Sequence, residues 1–180
     1  MKEKTIRLKY FHPQKGEMEV NLGLSVSHYL GPNVGIVNYN HGIRWCFEAR
    51  EIEIFERDTT IYGYPDPLFQ KIITVYISSK KYPFPANAVI YNLDGSVHKV
   101  LSPPILIGNL SSYSINPLRG HHFGGLLPGW DINSKGEKIQ TLTTMHSVSP
   151  INFRYESFYE VREVDVETGE FGELISEGML

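Results

Sequence analysis

One hundred and eighty residues, 41% hydrophobic and 21% charged, suit a single compact domain spanning 1–180 and exclude wholesale disorder. The net charge of −3 and the absence of a Lys/Arg stripe argue against a nucleic-acid-binding surface. No run nears the roughly 20 apolar residues of a membrane span, so no membrane partner is expected.

Cys46 is the only cysteine, so no internal disulfide can form and a reducing compartment is expected. The opening segment has no apolar run behind its charges, which is unlike a secretory signal. Cytoplasmic localisation follows as the expectation.

Residues 5–11 alternate Ile6, Leu8 and Tyr10 against Arg7 and Lys9, the pattern of a half-buried strand. Pro13-Gln14-Lys15-Gly16 turns the chain, and Met18, Val20 and Leu22 give the returning alternation. Residues 25–30 continue toward an edge, and Gly31-Pro32-Asn33 is a turn by its chemistry.

Residues 34–40 and 43–49 flank His41-Gly42, read as the turn of a short hairpin because glycine accepts positive φ. Ile43, Trp45 and Phe47 share one face of the second strand. Residues 51–55 extend that strand after a bulge, since Ile52 and Ile54 fall out of register with Trp45 and Phe47.

Residues 58–68 read as an aromatic loop whose two prolines oppose a ladder. Residues 69–79 are apolar on both alternating faces, as in a central strand covered on both sides. A Pro-containing connector, 80–86, leads to a hairpin over 89–101 around Leu93-Asp94-Gly95-Ser96. Residues 102–149 are rich in Gly and Pro and read as a long irregular excursion with short strands near 105–107 and 139–144. The chain closes with strands at 153–166 and 171–175 around Glu167-Thr168-Gly169-Glu170, with a bulge near Arg162 and Glu163.

The fold expected is mostly β: a single antiparallel sandwich or a curled, partly propeller-like sheet with a long irregular segment near 102–149. The Asn-x-Asp-Gly turn at 92–95 and the Asp-x-Glu-Thr-Gly-Glu turn at 165–170 resemble hairpins of propeller-type modules. Gly42, Gly95 and Gly169 lie 53 and 74 residues apart, whereas blades recur at about 40–50.

Acid gathers at the end of the chain. Between positions 156 and 180 eight carboxylates face one base, Arg162, so the remainder is net positive. Glu163, Asp165 and Glu167 form the centre of this acidic hairpin, and Glu51, Glu53 and Glu56 form a second ridge. Such surfaces either keep an edge strand from aggregating or meet a basic partner. Tyr62 and Tyr64 are candidate aromatic anchors for that partner.

In its size, β-rich patterning and single cysteine the chain resembles the small immunity proteins encoded beside bacterial polymorphic toxins. The resemblance implies a non-catalytic protein that occludes a cognate basic toxin, with no cofactor and no catalytic residue.

The competing reading is a metal- or small-ligand-binding β-sandwich enzyme that uses His121 and His122, with Asp131 and His146 downstream. Their spacing matches no recognised metal motif, and hydrogen-bonding loop histidines are the simpler reading. Cys46 as a nucleophile needs a base, with His28 and His41 the candidates. The glycine-rich 120–130 stretch lacks the lysine and hydroxyl of a phosphate loop. A carbohydrate-binding module is a third reading.

Overall fold

The structure of the chain, a computed structural model, describes residues 6–20, 22, 40–108, 121–124, 128–147 and 157–179. Among these residues there is no helix, and the strands form three antiparallel sheets, none closed into a barrel. The mostly-β expectation holds.

The first sheet has the order β2-β1-β3-β4, from β1 (Lys9–His12), β2 (Gly16–Glu19), β3 (Gly42–Phe47) and β4 (Arg50–Phe55). The second is an up-and-down meander of β5 (Thr60–Pro65), β6 (Lys71–Ile77), β7 (Ala88–Asn92) and β8 (Val97–Leu101). The third runs β10 (Gly129–Ile132), β11 (Lys138–Ser147), β12 (Ser157–Val164) and β13 (Phe171–Met179), and β9 (His121–Phe123) also pairs with β11.

The second sheet is the middle layer, and the alternation of β6 and β7 explains why. Ile72 and Tyr76 of β6, with Val89 and Tyr91 of β7, pack against Tyr10, Ile43 and Trp45 of the first sheet and Leu8 just before it. Ile73 and Val75, with Ala88 and Ile90, pack the opposite way against Phe123, Leu142 and Val164 of the third sheet. A strand with two apolar faces needs two covers, as the sequence indicated.

Two polar clusters between these layers are paired. Tyr76 and Tyr91 share a hydrogen bond of 2.5 Å between hydroxyls, and burial, the main cause, raises both phenols above their ordinary range. Asn87 donates to the carbonyls of Tyr76 and Phe123 and accepts from the Phe123 amide, tying the second sheet to the third.

Several local expectations change. Gly42 is a buried strand residue and not a turn: a Cβ there would lie 2.6 Å from the Ile54 carbonyl oxygen and closer still to the edge of the Phe11 ring. The turn falls instead at Glu48 and Ala49, both at positive φ (48° and 62°), so β4 returns beside β3 and no bulge is needed. That reversal puts Ile52 opposite Trp45 and Ile54 opposite Ile43.

The aromatic stretch expected to be a loop is the edge strand β5, which pairs with β6 through Pro65. Pro65 ends the strand, where a missing N–H disturbs no inner ladder. The strand expected near 139–144 is present as the longer β11, but β9 and β10 make the irregular region narrower than expected, and 105–107 is not a strand. The hairpin at Asp94-Gly95, the closing hairpin and its bulges around Arg162 are as read. The expected strands and turn over 25–39 lie outside the described residues.

Candidate functional site

Alternation turns one set of first-sheet residues outward. Tyr10, Ile43, Trp45, Ile52 and Ile54 face the second sheet. Their neighbours Lys9, Phe11, Glu17, Glu19, Arg44, Cys46, Glu51, Glu53 and Phe55 therefore occupy the outer face. Four carboxylates there meet Lys9, Arg44 and, just before β1, exposed Arg7, leaving the face acidic by one charge.

Arg44 organises the centre. Its guanidinium donates to Glu17 (2.5 Å) on β2 and, through Nε (2.7 Å), to Glu53 on β4, with Nη2 in ion-pair contact 2.6 Å from the same Glu53 oxygen. Its carbon stands 4.3 Å from the centroid of the Phe11 ring. Lys9 bonds the other oxygen of Glu17 at 2.9 Å. That hydrogen bond is the main reason the Glu17 carboxyl titrates below the usual range; burial opposes it, and the charges of Lys9 and Arg44 reinforce it.

Phe11 and Phe55 stack at 5.7 Å and 19° across the position of Gly42. Phe11 is buried and Phe55 is 45% exposed. Glycine is required between them, since the ring fills the space a side chain would take. Beside the stack lies a groove of about 410 Å³ lined by Phe11, Pro13, Glu17, Arg44, Glu53 and Phe55, with His12 at its wall.

A smaller groove of about 300 Å³ lies beyond His12 and is lined by Lys15, His41, Asp58 and Ser78, among others. The His12 and His41 rings lie 4.7 Å apart. His12 Nδ1 accepts from the amides of Gln14 and Lys15, so the neutral ring carries its proton on Nε2. It then presents an N–H there and not a lone pair, which does not suit a metal ligand. Burial first, then His41 and Lys15, lower the pKa of His12 below the ordinary imidazole value.

The sequence-derived candidates divide. Glu51 and Glu53 stand together on the exposed outer face of β4, as alternation predicted. Glu56 does not extend the ridge: its carboxylate accepts from the Ser79 hydroxyl (2.7 Å) and the Lys80 amide (2.9 Å). Tyr64 is a core residue, 1% exposed and edge-on to Trp130, so it cannot anchor a partner from the surface. Tyr62 is half-buried and packs on the same core.

The acidic terminal hairpin spends much of its charge internally. Asp165 accepts from the Glu167 and Thr168 amides (both 2.8 Å), and these bonds, Thr168 foremost, lower its pKa. Glu167 pairs with Lys71 at 2.7 Å, and Glu163 accepts from the Glu173 amide at 3.3 Å. The turn is clasped to β8 by Lys99, which donates to the Thr168 carbonyl.

His121 and His122 lie on strand β9, not in a loop, with His121 opposite His146 and His122 opposite Met145 in the ladder. The His122 ring packs 4.3 Å from Phe84. Asp131 is opposite Ile139, seven residues from His146 along β11, or about 23 Å at the usual strand rise. That distance excludes Asp131 and His146 from one metal shell. Among the described residues no group of three His, Cys, Asp or Glu side chains is placed to hold a metal. Cys46 is exposed opposite Glu51 and does not face the second layer; His28 lies outside the described residues.

Sequence reasoning missed Glu17 and Glu19 as members of the same outer face, Arg44 as the partner of Glu53 and Glu17, and the Phe11/Phe55 stack. The signal was present in part: if Met18 and Val20 point inward, Glu17 and Glu19 point outward. No protein-family model, curated protein or solved structure matches the chain.

Proposed function

We propose that this chain is a non-catalytic protein-binding module whose acidic first-sheet face meets a basic partner, most concretely an immunity protein occluding a cognate toxin. One observation carries the reading. Glu17, Glu19, Glu51 and Glu53 stand on a single outward face around exposed Phe55, offset among the described residues by Lys9, Arg44 and, just before β1, Arg7. An aromatic surface ringed by excess negative charge complements a basic protein: the charge guides encounter and the aromatic supplies apolar contact.

The first sheet serves this role better than the terminal hairpin. Asp165 and Glu167 there are engaged in capping their own turn and neutralising Lys71. Glu51, by contrast, is 62% exposed and comes no closer than 3.9 Å to Arg44.

The test is comparative capture from source-cell lysate by the tagged chain and its Glu51→Gln/Glu53→Gln variant. The reading expects one basic protein retained by the parent, released by salt and lost from the variant. Equal retention by both would refute the assigned face.

A further inference from the structure

We propose that the groove beside Phe55 reads arginine: a guanidinium of the basic partner stacks on the open face of Phe55 and hydrogen-bonds Glu53. This inference rests on the protein-binding reading above and specifies its contact.

The protein's own Arg44 already displays the chemistry. It covers Phe11 at 4.3 Å and is forked onto Glu53 through two nitrogens. Phe55 continues the aromatic surface, inclined only 19° to Phe11, but its ring is 45% exposed. Both Arg44 nitrogens converge on Glu53 Oε2. Among the described residues, Glu53 Oε1 makes no hydrogen bond. A second guanidinium entering the groove finds a ring to stack on and a carboxylate oxygen to accept its N–H.

The same geometry separates arginine from lysine. A planar guanidinium lies flat on a ring while its edge donates to a carboxylate, whereas an ammonium is a compact, strongly hydrated charge. Glu51 and Glu19 supply long-range attraction to either cation. Phe55 and Glu53 together supply the preference. At about 410 Å³ the groove is of the size that holds small ligands, and it opens onto the face where the partner would lie.

The proposal is tested with two capped peptides of sequence Gly-Arg-Gly-Arg-Gly and Gly-Lys-Gly-Lys-Gly, titrated at low ionic strength and followed by NMR. The arginine peptide is expected to bind roughly two- to fivefold more tightly and to shift the Phe55 ring signals. Phe55→Leu, at an exposed position, should reduce it to the level of the lysine peptide. Equal binding of both peptides, insensitive to Phe55→Leu but weakened by Glu51→Gln/Glu53→Gln, would overturn the arginine pocket and leave the acidic-face reading standing. Failure of both peptides to bind would count against the two together.

Discussion

Arg44 reaches across Phe11 to Glu17, 27 positions earlier in the chain, while the same guanidinium holds Glu53 on the other side. One side chain thus joins β2, β3 and β4 over the ring of β1 and sets the charge pattern of the outer face. Burial works against its charge, but the Glu53 hydrogen bond and the charges of Glu53, Glu51 and Glu17 prevail and raise its pKa.

Replacing Arg44 should move stability and binding in opposite directions. Arg44→Ala removes a partly exposed network and should cost about 1 kcal/mol in urea unfolding. It also leaves Glu17 and Glu53 less compensated, so affinity for a basic partner should rise. A variant that is both less stable and a weaker binder would show that Arg44 contacts the partner itself.

Acid should weaken the fold through His12. Its folded pKa lies below the ordinary value of 6.5, so the unfolded chain takes up the proton first as pH falls. Stability is unaffected by this group above about pH 6.5 and declines below it toward the lowered folded value. Protonation at Nδ1 would also displace the Gln14 and Lys15 amides of the turn between β1 and β2. Urea midpoints at pH 7.5 and 5.5 should differ more for the parent than for His12→Gln.

Asn87 should be among the least replaceable polar residues. It is fully buried and satisfies Tyr76 and Phe123 through three hydrogen bonds. Asn87→Ala leaves those backbone groups without partners between two sheets, at a cost of about 3 kcal/mol. Denaturant unfolding measures it directly, and a loss below about 0.5 kcal/mol would mean water replaces the side chain.

The legibility of the sequence varied with how local the cause was. Ile72, Ile73, Val75 and Tyr76 announced a two-faced strand because period-2 burial is written into adjacent residues. Gly95 and Gly169, at φ of 87° and 70°, behaved as turn glycines should. Gly42 misled because it is required by the packing of Phe11, a residue 31 positions away, and not by its own backbone. The true turn at Glu48 and Ala49 gave no warning, since neither is glycine or asparagine. Tyr64 read as an anchor because Pro65 suggested a loop, when Pro65 only closes an edge strand.

The site was legible by the same measure. Glu51 and Glu53 followed from alternation along one strand. Their link to Arg44 and Glu17 depended on strand order β2-β1-β3-β4, which no local pattern encodes. The engagement of Glu167 and its turn was equally hidden, because Lys71, Lys99 and His98 approach from a different sheet.

The most direct measurement is the dissociation constant of the captured basic partner against salt, for the parent, Glu51→Gln/Glu53→Gln and Glu170→Gln/Glu173→Gln. The account predicts that the first-sheet pair weakens binding about tenfold or more and flattens its salt dependence, while the terminal pair leaves both near the parent values. Loss confined to the terminal pair would contradict it and return the interface to the closing hairpin.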